Sequence, residues 1–405
     1  MFQLFEMKGA VLRRVIALTA TMASVLLAPS AADAATAVTD VDYDLDGSAV
    51  PVPASLGRLD LYLPDGAQPS DRRPVVVYVH GGGWRVGDKG NRIGDKVGLF
   101  TGAGYAFASI NYRLSPDPID PAYPPDRVRF PDHPDDVGEA IGWIDRNVGA
   151  FGGDPERIIM IGHSAGAQIV ALVATDPGYV QRWGVKPKQL LGAIPLDGEY
   201  DIPNRIETGS NRSRTMFYNA FATPAENAVD DAWRLGSPIE WAGPSDPPFL
   251  VVTQQDAPVR AAAAGRMANA LGPAANLLPV PYDHEGINAA VGAADDPAGE
   301  TEAIMSFIRE ALGDARAPKV RIKSRPKNRI RLHRHERRAK VAFRFEPRSG
   351  SPRLQCRLDD DRFRRCDSPA RYRAGKGRHA FRVRALAADG DPGPVSRDRF
   401  RVVRR

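Results

Sequence analysis

Between residues 73 and 312 the chain alternates two apolar rhythms. Short continuous runs, RPVVVYVH (residues 73–80), AFASINY (106–112), RIIMIGH (157–163), LLGAIPLD (190–197) and PFLVVTQ (248–254), are rich in β-branched residues and of strand length, the pattern of strands covered on both faces. Between them lie DDVGEAIGWIDRNVGAF (135–151), AGAQIVALVATD (165–176) and AAAAGRMANAL (261–271), and ETEAIMSFIREAL (300–312) closes the series; here apolar residues recur at helical spacing. Strand and helix in alternation predict an α/β body, a mainly parallel sheet flanked by helices. Ligands in such sheets sit at the carboxyl ends of the strands, so residues that do chemistry are expected directly after a strand.

Beyond residue 315 the rhythm changes. AFRF (342–345), HAFRVRAL (379–386) and RFRVV (399–403) alternate apolar with basic residues at period two, with Gly, Pro and Asp between them. That predicts a small all-β antiparallel sandwich over 339–405. Residues 316–338 lack apolar periodicity and carry many basic side chains, so they read as an exposed linker, leaving 35–315 for the α/β body. Charge sharpens the division. The 405-residue chain has a formal net charge of +6, yet residues 316–405 hold 30 Lys+Arg against 9 Asp+Glu, or +21, while the remainder carries −15.

Two features point outside the cell. Lys8, Arg13 and Arg14 precede an apolar run over 15–27, and small residues follow, with Ala32 and Ala34 set for a cut: a signal peptide over 1–34. The run is shorter than the roughly 20 residues a bilayer span requires, and no later stretch reaches that length, so no membrane span is expected after cleavage. The only cysteines, Cys356 and Cys366, form an even pair in an exported chain and are expected to be joined, a staple for a small core. Without histidine ligands nearby they make a poor zinc site. A secreted or surface-associated protein is the expectation.

Ser164 stands in GHSAG (162–166), between the strand run RIIMI and the helical run AGAQIVALVAT. Strand, G-x-S-x-G and helix in that order are the context of a nucleophile elbow, with the serine exposed on a sharp turn; the bare motif fits a structural serine at a helix start equally well. A serine hydroxyl needs a base in hydrogen-bond reach and a carboxylate to orient that base. Elbow-bearing sheets carry the three in the order serine, acid, histidine. His284, in DHEGIN after the strand-like NLLPVPYD, is the only histidine between Ser164 and residue 315. Asp256 follows PFLVVTQQ, one strand before that histidine, and is the expected acid. Asp283 adjoins the histidine in the chain and reads as a solvated neighbour, while Asp246 precedes its strand, at the wrong end of the sheet. Charge developing on a carbonyl oxygen needs fixed donors, each worth roughly 3–4 kcal/mol. HGGGW (80–84) follows the first strand run, and Gly82 and Gly83, with the N–H of Ala165, are the expected oxyanion hole.

Together HGGGW, NYRLSP, FGGDPERIIMIGHSAGA and DHEGIN resemble the α/β-hydrolase superfamily, in the esterase branch related to hormone-sensitive lipase and the bacterial feruloyl and acetyl esterases. The resemblance runs over residues 41–312. It implies an α/β-hydrolase fold and hydrolysis of carboxylic esters, short-chain or carbohydrate and aryl acyl esters, through an acyl-enzyme and with neither metal nor organic cofactor. It also places the functional residues of that branch on Ser164, Asp256 and His284, with Gly82, Gly83 and Ala165 as oxyanion donors. One departure stands out: the branch often has a glycine three residues before its acid, where this chain has Thr253. Residues 339–403 resemble the immunoglobulin-like modules of exported bacterial proteins, which implies a spacer or adhesive role.

Two proline-rich segments, SPDPIDPAYPPDRVRFPDHP and residues 203–248, are placed to wall the pocket, and neither holds a long apolar helix, which favours short acyl chains. Arylformamidases resemble the chain at HGGGW and around His284, but an export signal argues against a metabolic role inside the cell. A reading of another class is a catalytically inert exported protein held by its +21 module to anionic cell-wall or surface polymers, because clustered positive charge binds polyanions. Nucleic acid is not an expected partner, since the chain is exported and carries no recognition motif.

Overall fold

The apolar runs become the spine of the molecule. In the computed structural model, which describes residues 35–43, 55–116, 123–313, 319–333, 335–347, 353–359, 361–386 and 393–404, they pair into an eight-stranded sheet. Its strands are β1 (Thr36–Asp42), β2 (Arg58–Leu63), β3 (Arg73–Val79), β4 (Ala106–Ile110), β5 (Gly153–His163), β6 (Leu190–Leu196), β7 (Phe249–Gln254) and β8 (Ala275–Val280), in the order β1-β2-β4-β3-β5-β6-β7-β8. β2 pairs antiparallel with β1 and β4, and every pair from β4 to β8 is parallel. Alternate residues of β3 feed two cores: Val75, Val77 and Val79 pack on one face, Val76 and Tyr78 on the other. That two-sided burial is why the run shows no polar alternation.

Helices α1 (Gly94–Gly102), α2 (Asp132–Asn147), α3 (Ala165–Thr175) and α4 (Gly178–Gln181) precede β6. Five short helices separate β6 from β7: α5 (Ile202–Thr208), α6 (Asn211–Ala220), α7 (Pro224–Asp230), α8 (Ala232–Leu235) and α9 (Pro238–Trp241). α10 (Pro258–Leu271), α11 (His284–Ala290) and α12 (Glu300–Ala311) complete the body. α3, which starts at the serine turn, is buried at every residue between the sheet and α2. Burial of its Ile169, Val170, Leu172 and Val173 contributes roughly 1.5–3 kcal/mol per side chain, which fixes the turn rigidly to the sheet.

The second body is a β structure of two sheets. Its strands are β9 (Val320–Ser324), β10 (Arg329–Leu332), β11 (Ala339–Pro347), β12 (Arg353–Leu358), β13 (Arg364–Arg365), β14 (Ala370–Ala374), β15 (Gly377–Leu386) and β16 (Ser396–Arg404). They form a five-stranded sheet, β10-β16-β15-β12-β13, and a three-stranded one, β14-β11-β9. Phe343 stacks on Phe381 with ring centroids 4.0 Å apart in the core between them, and Cys356 is disulfide-bonded to Cys366. Two expectations are corrected. Residues 316–338 are not a linker throughout, because β9 pairs with β11 and β10 with β16. Val320, Ile322, Ile330 and Leu332 pack against the core while the basic residues alternate outward, a period-two signal hidden by the density of Lys and Arg. The body is also not purely antiparallel, since β10 runs parallel to β16.

The same alternation gathers arginines on the outward face of the five-stranded sheet. Arg378 lies opposite Arg401, Arg382 lies between Arg397 and Arg357, and Arg329 lies beside Arg401 in register. Arg331, Arg353, Arg384 and Arg399 share that face, whereas Asp398, the one carboxylate within these strands, is buried on the inner side. The signal peptide expected over 1–34 lies outside the described residues. Among the described residues, no helix is long and apolar enough to cross a membrane.

Candidate active site

β5 ends at His163, α3 begins at Ala165, and Ser164 between them holds φ 56° and ψ −114°. A side-chain-bearing residue in such a conformation costs about 1–3 kcal/mol and persists only where its surroundings enforce it. They do so here. A Cβ at Gly166 would fall 2.2 Å from the Val79 carbonyl oxygen, so only glycine lets the first turn of α3 press against the end of β3. The Ser164 N–H donates to the Leu196 carbonyl at 2.9 Å, which ties the turn to β6.

Ser164 Oγ donates to His284 Nε2 at 2.9 Å, and His284 Nδ1 donates to Asp197 Oδ2 at 2.6 Å. The structure thus brings Ser164 and His284 together as expected but sets Asp197, not Asp256, behind the imidazole. Asp197 follows β6 directly with φ 54°, and its N–H donates to the Val252 carbonyl at 2.9 Å. Gln254 Nε2 donates to Asp197 Oδ2 at 2.7 Å; Arg260 donates through Nη1 to the Asp197 carbonyl at 2.7 Å and holds Nε 3.5 Å from Oδ2. Burial alone would raise this carboxyl, but the His284 hydrogen bond, the Arg260 charge and the Gln254 amide outweigh it and hold it below the usual carboxylate range.

Asp256 is exposed on the turn between β7 and α10, where it accepts a hydrogen bond from Gln255 Nε2 at 3.2 Å. The place from which β7 reaches the site belongs to Gln254, two residues earlier, which supplies an amide donor to the acid rather than a carboxylate. Nδ1 of an imidazole carries one hydrogen, and Asp197 accepts it. The other aspartates weighed from the sequence have structural partners: Asp283 caps α11 by accepting from Gly286 N at 2.7 Å, and Asp246 accepts from Gly243 N at 2.9 Å. A signal for Asp197 was present. The apolar run LLGAIPL ends in a charged residue directly after a strand, the same position that marks Ser164.

The HGGGW loop passes alongside the nucleophile, since a Cβ placed on Gly81 would stand 3.0 Å from Ser164 Cβ. Gly82 has φ 117°, and a Cβ there would fall 1.8 Å from the Val86 carbonyl oxygen, so the loop folds back on itself in a way only glycine permits. Trp84 pins the loop: its Nε1 donates to Gln168 Oε1 on α3 at 3.0 Å, and its ring packs on Phe217 and Phe221 at 5.4 and 5.1 Å. Ala165 opens α3, and its N–H has no acceptor within the helix.

One group among the described residues has the spacing of metal ligands: His163, His284 and Glu285 hold donor atoms within 4.8 Å of one another. Both nitrogens of His284 are engaged by Ser164 and Asp197, and His163 Nε2 donates to the His284 carbonyl at 2.8 Å. Burial pushes His163 down to about 4, keeping it neutral. The histidines are committed within the protein, and the group is a poor fit to a metal. A nucleophile bonded to a base, the base bonded to an ionised acid, and a glycine loop beside the nucleophile suit acyl transfer.

The BD-FAE family model matches residues 59–271, more than half of the chain. The chain belongs to the BD-FAE family. The BD-FAE match runs from β2 to α10, so it includes the glycine loop, Ser164 and Asp197 and ends before His284. Esterase LipQ of Mycobacterium tuberculosis is 29% identical over 214 residues, which cover 51% of this chain and 48% of LipQ. Kynurenine formamidase avaC of Aspergillus versicolor is 33% identical over 138 residues, 31% of this chain and 44% of avaC. The chain thus spans less than half the length of these relatives. Among solved structures, Esterase B from Lactobacillus rhamnosis superposes with a TM-score of 0.52 at 21% identity, over 69% of this chain and 87% of that one. That likeness shows the fold, which is that of the α/β-hydrolases.

Proposed function

We propose that the protein is an exported serine hydrolase of carboxylic esters, working through Ser164, His284 and Asp197. The reading is carried by one observation, the unbroken hydrogen-bonded line from Asp197 through the imidazole to Ser164 Oγ, with spans of 2.6 and 2.9 Å. Ser164 Oγ attacks the ester carbonyl while His284 Nε2 takes its proton. The resulting oxyanion is met by backbone N–H groups of Gly82, Gly83 and Ala165, and its collapse expels the alcohol, which leaves with the proton from His284. Water activated by the same imidazole then releases the acid and restores the serine. Asp197 fixes the tautomer and stabilises the imidazolium. The helices between β6 and β7 are short, the longest being α6 at 10 residues, which supports short acyl chains.

A fluorophosphonate probe is expected to modify Ser164, located by mass spectrometry, and Ser164→Ala is expected to lower turnover of p-nitrophenyl acetate by about 10⁴-fold or more. Labelling of another residue, or retained turnover, overturns the assignment. Likeness to a formamidase favours a second reading, cleavage of a formamide; faster hydrolysis of N-formylkynurenine than of acetyl or feruloyl esters would decide for it.

The basic module supports a further element, attachment to an anionic polymer of the cell wall or surface. Its carrier is the arginine face of the five-stranded sheet, where like charges stand opposite one another in register. The full mature chain, starting at Ala35, is expected to bind teichoic acid or heparin resin at low salt and to leave it as salt rises. Retention that ignores salt removes this element.

A further inference from the structure

The acid at the end of β6 does not face the imidazole alone. Asp197 Oδ2 accepts from His284 Nδ1 at 2.6 Å and from Gln254 Nε2 at 2.7 Å, which fills both lone pairs of that oxygen, while Arg260 holds Nε 3.5 Å away. The guanidinium therefore acts on the carboxylate through its charge rather than through a hydrogen bond. Its Nη1 has a different partner, the Asp197 carbonyl at 2.7 Å, in a residue whose φ of 54° few side-chain-bearing residues adopt. Arg260 stands in the first turn of α10, so a neighbouring element grips both the main chain and the charge of the acid.

The charges continue in alternation. Arg260 Nη1 lies 3.6 Å from Glu199 Oε1, and that oxygen accepts from Arg205 Nε at 3.0 Å. The Asp197 side chain is fully buried and that of Arg260 is 24% exposed, so solvent screens the pair only from the arginine's side. Other charged and titratable groups around the imidazole are engaged elsewhere or screened. His163, with its ring centroid 4.6 Å from that of His284, is neutral; Lys96 donates to the Arg92 and Asn288 carbonyls at 3.0 and 2.6 Å; Asp283 and Glu285 are exposed. A general base has to be free of its proton at working pH, whereas a carboxylate in hydrogen-bond contact favours the protonated imidazole. A guanidinium beside that carboxylate opposes the bias and leaves intact the hydrogen bond that orients the ring.

We propose that Arg260, restrained by Glu199, is a positioning residue of the active site: it fixes the Asp197 main chain and offsets the carboxylate's charge, so that His284 gives up its proton at a lower pH than it would beside Asp197 alone. The inference rests on the serine-esterase reading above.

The test follows two readouts against pH in the full chain: kcat/KM for p-nitrophenyl acetate, and the rate at which a fluorophosphonate labels Ser164, which depends on the same imidazole but not on an ester. In Arg260→Gln the acid limb of both profiles is expected to move up by about half a pH unit or more, less than a charge touching the imidazole itself would give. Arg260→Lys, which keeps the charge, is expected to return the limb most of the way. Arg260→Met, another good helix former, repeats the measurement should the glutamine variant not accumulate. A fall in rate that is uniform across pH, with the limb unmoved, would mean that Arg260 only braces the fold, and the proposal fails. If Ser164 is labelled but p-nitrophenyl acetate is not cleaved, the esterase reading fails and the labelling profile alone decides for or against Arg260. If the probe leaves Ser164 unmodified, both fall.

Discussion

Asp197 and Asp256 stand at the ends of neighbouring strands, and a pair of amide substitutions separates their roles. Asp197→Asn keeps the size of the side chain but removes the charge that supports an imidazolium, and is expected to lower kcat for p-nitrophenyl acetate by about 10³- to 10⁴-fold with the fold intact. Asp256→Asn, on an exposed turn, is expected to change kcat/KM by less than about twofold. The reverse order of effects would return the acid to β7. Because its neighbours hold the Asp197 carboxyl below the usual range, it stays ionised around neutral pH, and its protonation is expected to add no inflection to the pH–rate profile there. The linked stability has the same sign: it is present above the unfolded carboxyl value and is lost as pH falls through the folded one. Ser164 and His284 were legible in the sequence for local reasons, a motif set between strand and helix and a histidine without rivals between Ser164 and residue 315. The acid has no motif. Choosing among aspartates depends on which strand end faces the imidazole, and that is decided by β6 lying between β5 and β7, a fact of tertiary order.

At the scale of elements, α11 carries His284 at its first residue and rests on buried polar groups. Tyr78 on β3 donates to Asn288 Oδ1 at 3.0 Å, and Lys96 on α1 donates through Nζ to the Asn288 carbonyl at 2.6 Å. Nearby, Glu300 at the start of α12 is fully buried, and neither carboxyl oxygen has a hydrogen-bond partner among the described residues. Burial pushes Glu300 up to about 8 and Lys96 down to about 8. A carboxyl raised on folding leaves stability untouched below its unfolded value of about 4.3 and costs progressively more as pH climbs to the folded one. Glu300→Gln is therefore expected to be nearly neutral at about pH 4 and to stabilise by roughly 1–3 kcal/mol at pH 8. Denaturant titrations at the two pH values check this, and a variant no more stable than its parent at pH 8 would show that Lys96 compensates the charge. The alternating runs foretold β3 to β7 because burial on both faces leaves a continuous apolar signature. β1 escaped that reading because it is an exposed edge strand, and β9 and β10 because four inward apolar residues are diluted by arginine and lysine.

For the molecule as a whole, the sequence showed two bodies of opposite charge. Residues 1–315 carry −15, while residues 316–405 carry +21, much of it on strands. What composition could not show is that the arginines of four strands share one face, because that depends on register. Cross-strand neighbours of like sign repel, and the repulsion weakens as ions screen it. Arg378 beside Arg401 and Arg382 beside Arg397 therefore make the module's own folding respond to the medium. The melting temperature of the chain's basic module is therefore expected to climb as salt is added, the opposite of what a sheet held together by ion pairs would do.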